Sequence, residues 1–138
     1  MLTQPTPAMS AVIEKLRTVL GAHPDIRLAM LFGSMAAGTA TADSDIDVAL
    51  TASEPLSAQI RLALMDDLAL AFGRPVDLVD LSAVGEPLLG QIVAGGIRIL
   101  GDDAVYGDLL YRHIMNGTDF VPYQERILAD RRRLWIGC

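Results

Sequence analysis

Two short apolar runs separated by a loop of small residues constrain the fold of this 138-residue chain more than any other feature. Ile26–Phe32 is an apolar run with one basic residue, and it predicts a buried strand. Gly33 breaks the run, and Ser34–Ser44 is rich in Gly, Ala, Ser and Thr, which predicts a turn with room for one helical turn. Asp45–Leu50 then alternates aspartate with aliphatic residues and predicts a second strand. We expect the two strands to pair as neighbours in one sheet.

Helical and strand patterns alternate along the rest of the chain. Apolar residues at helical spacing predict helices from Pro7 to Gly21 and from Ser53 to Phe72. Val76–Leu81 predicts a third strand, and Ile97–Leu100 predicts a fourth strand at the edge of the sheet. Three more helices are predicted over residues 86–94, 103–115 and 120–135. The sequence therefore predicts an α/β (α+β) fold, a small mixed sheet of three to four strands flanked by helices.

The charge balance limits the partners that this chain can have. It carries 17 acidic and 11 basic residues, for a net charge of −6. Because a negative protein is repelled by a polyanion, long nucleic acid is not expected as a partner. The basic residues include the cluster Arg131–Arg133, which suits either a solvated helix end or a surface for an acidic partner.

Length and cysteine content narrow the class of protein further. The length predicts one domain, residues 1–138. Cys138 is the only cysteine, so an internal disulfide is excluded and an oxidising compartment is not indicated. The N-terminus lacks the pattern of a signal peptide, and no apolar run is as long as a membrane span. We therefore expect a cytoplasmic protein with no membrane partner.

Asp45 and Asp47 occupy alternate positions on the second predicted strand. Residues two apart on a strand point to the same face, so both carboxylates face one way while Ile46 and Val48 face the core. Like charges this close repel unless a cation lies between them, and Mg²⁺ with oxygen ligands is the usual solution. Two such ions can clamp a phosphoryl group. Alone, an Asp-x-Asp pair would suit a strand end with solvated acids equally well.

Gly33 and Ser34 favour a phosphate-binding site. A glycine at a strand end lets the backbone approach a ligand closely. Ser34 opens a turn whose free N–H groups and hydroxyl can hold phosphate oxygens. Ten residues separate Ser34 from Asp45 in a strand–loop–strand context. This combination predicts a metal-dependent site for a nucleoside triphosphate.

A third carboxylate would complete such a site by activating the attacking hydroxyl or by sharing a metal. The candidates are Asp77 and Asp80, which lie three apart in the third predicted strand and so face opposite sides. We favour Asp77, because it lies inside an apolar run where a solvated acid has no evident role. Asp80 is nearer the end of the strand and suits a surface or capping role.

These residues resemble the signature of the minimal nucleotidyltransferases (MNT) of the DNA polymerase beta superfamily. That signature is Gly-Ser, ten residues, Asp-x-Asp, and a later Asp in a strand. The amino-acid sequence of Ser44–Leu50 is also similar to that of the family. The chain looks most like the MNT-domain antitoxins of HEPN/MNT toxin–antitoxin pairs. The resemblance covers about residues 26–100, which implies a nucleotidyltransferase core there and C-terminal helices over about 103–135. Ala37 departs from it, because many members carry Arg before the loop glycine, and that cation could steady a phosphate.

The resemblance implies an activity and a partner. The reaction would be transfer of AMP from ATP to a tyrosine hydroxyl of a HEPN ribonuclease toxin, with release of pyrophosphate. Gly33 and Ser34 would hold the triphosphate, and Asp45 and Asp47 would bind two Mg²⁺ ions. Asp77 would activate the acceptor or share one metal. The chain would form a hetero-oligomer with the toxin, with residues 120–135 as part of the surface.

Two alternatives remain open from the sequence. The first is the same chemistry on a small molecule such as an aminoglycoside, although such relatives usually carry a further substrate domain. The second is an antitoxin that blocks its toxin sterically while the site is idle. Ala37 supports the second alternative, whereas three retained, mutually repelling carboxylates oppose it.

Overall fold

Helices and strands alternate through residues 7–41 and 43–116, which are the residues that the computed structural model describes. The helices are α1 (Pro7–Gly21), α2 (Gly33–Ala37), α3 (Ala58–Phe72), α4 (Leu88–Gly95) and α5 (Asp103–Asn116). The strands are β1 (Ile26–Phe32), β2 (Ile46–Ala52), β3 (Val76–Asp80) and β4 (Ile97–Leu100). Three earlier predictions, the helix over 120–135, the Arg131–Arg133 cluster and the role of Cys138, lie outside this part of the chain.

The four strands form one mixed sheet in the order β3-β2-β1-β4. Strand β1 pairs antiparallel with both β2 and β4, whereas β2 and β3 are parallel. A parallel pair needs a long crossover connection, and α3 supplies it. The predicted mixed sheet is confirmed, as are the pairing of the first two strands and the edge position of the fourth.

Helices cover both faces of the sheet. On one face, α1 and α3 bury Leu16, Leu20, Leu64 and Leu68, each at most 1% exposed. On the other face, the buried side chains of α4 and α5 include Leu89, Ile92 and Leu109. Among the described residues, no helix combines the length and apolarity needed to cross a membrane. The predicted fold class is confirmed, and the single-domain organisation over residues 1–138 stays a prediction.

The start of α3 was predicted wrongly. The helix begins at Ala58 and not near Ser53, because Ser57 is the N-cap and its hydroxyl oxygen accepts the N–H of Ile60 at 3.1 Å. Ser53 instead donates its backbone N–H to the carbonyl of Asp25 at 2.8 Å. The predicted helix from residue 86 also starts late, at Leu88.

Replacing Ser57 by alanine is expected to lower the free energy of unfolding by about 1 kcal/mol, because the N-terminal N–H groups of α3 lose a hydrogen-bond acceptor. Urea unfolding followed by circular dichroism measures this loss. Ser53→Ala is the matched control, since the Ser53 hydroxyl makes only a 3.4 Å contact with the carbonyl of Asp25. Equal losses for the two variants would contradict the assignment of Ser57 as the cap.

Candidate active site

Three strand ends meet at one end of the sheet and carry the predicted site residues. Strand β1 runs antiparallel to β2, so its last residue, Phe32, pairs with Asp47 near the start of β2. Strand β3 runs parallel to β2, so Asp77 lies directly opposite Asp47. The loop that follows β1 begins at Gly33. The topology thus brings the loop and the carboxylates together, as the spacing predicted.

Asp47 and Asp77 lie on the face of the sheet that α4 and α5 cover. Ile46 and Val48 are fully buried against α1 and α3, so Asp47 between them points to the opposite face. Asp47 is half-buried, and Asp77 is exposed. Asp45 is also exposed and directly precedes β2, so the predicted strand starts one residue later than expected.

The electrostatics of Asp47 reflect this crowding. Burial raises the pKa of the Asp47 carboxyl, and the negative charges of Asp77 and then Asp45 raise it further. A side-chain hydrogen bond with Asp77 adds a smaller contribution in the same direction. Asp45 and Asp77 therefore both act on Asp47, which is at the centre of the group.

This group has the chemistry of a site for a hard divalent cation. No ion pair in the described part of the chain involves Asp45, Asp47 or Asp77. Within residues 7–41 and 43–116, no three His, Cys, Asp or Glu side chains converge as a ready metal cage. The three aspartates nevertheless fit Mg²⁺, because all their donors are carboxylate oxygens. No basic side chain in the described residues forms an ion pair that would balance their mutual repulsion.

The backbone of Gly33 lies close to the Asp47 side chain. Its φ is +74°, and a Cβ atom placed on it would collide with Asp47 Oδ2 and lie 3.0 Å from Asp47 Cγ. Only glycine combines this left-handed conformation with such a close approach. Ser34 follows in α2 and is half-buried, and its carbonyl accepts the N–H of Thr39 at 3.0 Å. The N-cap residue of α2, Phe32, provides no side-chain cap for the first turn.

Asp80 has a separate role from that of Asp77. Its Oδ1 accepts the N–H of Ser82 at 2.9 Å and its Oδ2 accepts the N–H of Leu56 at 3.4 Å. Burial works to raise the pKa of Asp80, but bonds from the Ser82 hydroxyl and N–H, then from Leu56 N–H, and the charge of Arg61 together lower it. These bonds hold the turn after β3, which fits the capping role that the sequence suggested.

The family follows from the match of this site and fold to known proteins. Residues 14–104 match the family described as Polymerase beta, Nucleotidyltransferase. The chain belongs to this nucleotidyltransferase family. The match includes both strand-borne aspartate elements and the Gly33-Ser34 turn, and it confirms the resemblance that the motifs indicated.

Individual proteins that are similar to this nucleotidyltransferase support the same family assignment. It is 38% identical over 97 residues to the protein adenylyltransferase MntA of Shewanella oneidensis, covering 66% of this chain and 70% of that protein. A solved toxin–antitoxin structure with AMP-PNP is similar, with a TM-score of 0.68 and 28% identity over 88% of this chain and 94% of the other. A tri-AMPylated Shewanella oneidensis HEPN toxin in complex with MNT antitoxin gives a TM-score of 0.64 and 25% identity, over 91% and 94% of the two chains.

Two arginines near the candidate site were not predicted from the sequence. Arg74 Nη1 donates to the carbonyl of Ser44, next to Asp45, at 3.2 Å. Arg61 Nη2 donates to the carbonyl of Leu78 in β3. Both contacts join segments far apart in the sequence, so periodicity carried no sign of them. The sequence offered one indication of a role for Arg74, which is its position two residues before the strand that carries Asp77.

The raised pKa of Asp47 gives the metal-free protein an unusual pH dependence. The folded state holds a proton on Asp47 at a higher pH than the unfolded chain, whose aspartate pKa is about 3.9. At pH values between the unfolded pKa and the higher folded pKa of Asp47, the folded state binds more protons than the unfolded chain. The contribution of Asp47 to stability therefore increases as the pH falls. Comparing wild type with Asp47→Asn by urea unfolding in EDTA should show a difference that shrinks as the pH is lowered through this window. A pH-independent difference would contradict the crowding of carboxylates.

Proposed function

We propose that this chain is a protein adenylyltransferase that moves AMP from ATP to a tyrosine of a HEPN-type toxin, and so acts as its antitoxin. The observation that carries the proposal is the carboxylate group centred on Asp47, pressed against Gly33 in a nucleotidyltransferase fold. The acceptor is proposed from the relatives, one of them named a protein adenylyltransferase and another solved as an antitoxin with an AMPylated HEPN toxin.

In the proposed reaction, the tyrosine oxygen attacks the α-phosphorus of ATP. The new bond joins that oxygen to phosphorus, the bond between phosphorus and the α–β bridging oxygen breaks, and pyrophosphate leaves. The proton of the hydroxyl passes to Asp77, the more exposed of the paired carboxylates. Gly33 and Ser34 hold the triphosphate through backbone N–H groups and the serine hydroxyl.

Asp45, Asp47 and Asp77 are the residues that would hold two Mg²⁺ ions. Bound there, the ions would neutralise phosphate charge and lower the pKa of the acceptor hydroxyl. The β2–β3 register places Asp47 and Asp77 opposite each other. We propose that this pair orients the acceptor hydroxyl relative to the α-phosphate. Since the chain has a single cysteine and no possible internal disulfide, we also propose the cytoplasm as its place of action.

The location of a label distinguishes the possible acceptors. The purified chain is mixed with Mg²⁺, ATP labelled at the α-phosphate, and either its HEPN-domain partner or an aminoglycoside. The proposal expects label on a tyrosine of the HEPN protein and none on the aminoglycoside. Label on the aminoglycoside would favour small-molecule transfer, and tight binding of the HEPN protein with no label would favour steric blocking.

A further inference from the structure

A cationic cavity lies at the same end of the sheet as the candidate active site, next to Ser44. It has a volume of about 180 Å³ and is lined by residues of α1, by the start of β2 and by the segment after α3: Ala11, Val12, Lys15, Ile46, Phe72 and Arg74. The lining includes two cations, one aromatic ring and no carboxylate. A water molecule occupies about 30 Å³ of liquid, so this space can hold a small solute.

No side chain in the described part of the protein balances the charge of either cation in this cavity. In the described residues, no carboxylate lies within ion-pair distance of Lys15 or Arg74. This is unexpected in a chain with a net charge of −6, in which carboxylates outnumber basic groups. A concave site with two unpaired cations concentrates positive potential and favours an anion.

Both side chains are held in place and retain free donors. Lys15 Nζ donates to the carbonyl of Ala71 at 3.1 Å and lies 5.4 Å from the centre of the Phe72 ring. This leaves further N–H groups of the ammonium, which has three. Arg74 is half-buried and donates Nη1 to the carbonyl of Ser44, so most of its five N–H groups remain available. Held donors on an ammonium and a guanidinium suit the oxygens of a phosphate.

We propose that Lys15 and Arg74 form a binding site for a phosphate-class oxyanion. The Gly33–Asp45 segment contains no Lys or Arg, and this pair places two cations at the same end of the sheet but on the face that α1 and α3 cover, opposite the face of Asp47. Through Ser44, Arg74 also joins the site to the residue before Asp45. The oxyanion is either part of a bound nucleotide or a free phosphate, and the same donors would recognise both. The site itself does not depend on the proposed adenylyl transfer.

The composition of the chain offers a selective probe of this site. Lys15 is the only lysine in the sequence. Incorporation of ¹³C,¹⁵N-lysine during expression therefore labels one side chain and leaves the three N–H donors of its ammonium in place. Titrations with inorganic phosphate, pyrophosphate and ATP are followed by NMR at constant ionic strength, in EDTA so that the carboxylate site binds no metal.

We expect a saturable shift of the Lys15 side-chain signal. A shift with phosphate or pyrophosphate supports a site for free phosphates, and a shift with ATP alone assigns the site to the nucleotide. Arg74→Gln should weaken the apparent affinity about tenfold, because a charged hydrogen-bond donor is lost. Arg27→Gln is the matched control, since it removes the same charge from an exposed arginine outside the cavity.

Two results of these titrations would overturn the proposal. One is the absence of a saturable shift with all three probes. The other is an affinity that falls equally in Arg74→Gln and Arg27→Gln, because net charge alone would then explain the binding. Lys15→Gln, tested by calorimetry with pyrophosphate, covers the case in which Arg74→Gln disturbs the loop through Ser44. Unchanged pyrophosphate affinity in a folded Lys15→Gln protein would equally contradict the site.

Discussion

Replacing Asp47 by asparagine is expected to lower AMP transfer at least about a thousandfold, which corresponds to about 4 kcal/mol of transition-state stabilisation. Asparagine has the size of aspartate but lacks its charge, so it binds Mg²⁺ poorly and leaves phosphate charge without a counterion. Asp47 is the centre of the carboxylate group, opposite Asp77 and against Gly33. The initial rate of label transfer from ATP measures the loss.

The same variant should not destabilise the metal-free protein. Asp47 carries a raised pKa because burial and the charges of Asp77 and Asp45 oppose its ionisation. Removing its charge relieves that repulsion, so the urea midpoint should stay the same or rise. A variant that loses activity without losing stability cannot owe the loss to unfolding.

Asp80→Asn is the matched control, because it makes the same change on the neighbouring strand, β3. Asp80 accepts hydrogen bonds on both oxygens, so an amide group there would place a donor against another N–H. We expect Asp80→Asn to lower the free energy of unfolding by at most about 1 kcal/mol, because Asp80 is partly exposed to solvent. The AMP-transfer activity of this variant should be retained. The opposite pattern, with Asp80→Asn inactive and Asp47→Asn active, would contradict a site centred on Asp47.

The second large effect is expected at Gly33, where alanine should abolish activity and lower stability by about 1–3 kcal/mol. The new methyl group would collide with the Asp47 carboxylate and force it, or the loop, to move. Because catalysis requires the loop and the carboxylate to be held together, even a small displacement is costly. AMP transfer and urea unfolding measure the two consequences.

Gly38→Ala separates the collision from the backbone conformation. Gly38 has a φ of +77°, close to the +74° of Gly33, but a Cβ atom on it would have no heavy atom within 4 Å. Both variants should therefore lose a similar amount of stability from the left-handed backbone, about 1 kcal/mol. Only Gly33→Ala should also lose activity. Equal activity losses would show that the contact with Asp47 is unimportant.

The sequence predicted those parts of the fold that local patterns govern. Alternation in Asp45–Leu50 predicted which side chains face the core, and Ile46 and Val48 are fully buried as expected. The start of α3 was missed because Ser53 and Ser57 both resemble caps. Only tertiary contacts decide between them, since Ser53 bonds to Asp25 next to β1.

The candidate site was predicted in its residue types but not in its full surroundings. The spacing predicted that Asp45, Asp47 and a third carboxylate would converge, and the parallel pairing of β2 with β3 places Asp77 opposite Asp47. The contact of Arg74 with the loop could not be predicted, because it joins residues 30 apart through a backbone carbonyl. Such contacts depend on how α3 returns the chain to the sheet, which no local pattern encodes.

We propose that this nucleotidyltransferase silences a HEPN-type partner by attaching AMP to it. The most direct test is the intact mass and peptide map of the HEPN protein after co-expression with this chain or with its Asp45→Asn/Asp47→Asn variant. We expect one or more AMP groups on a tyrosine with the wild-type chain, and an unmodified, toxic HEPN protein with the variant. An unmodified HEPN protein that both chains silence equally would contradict this proposal.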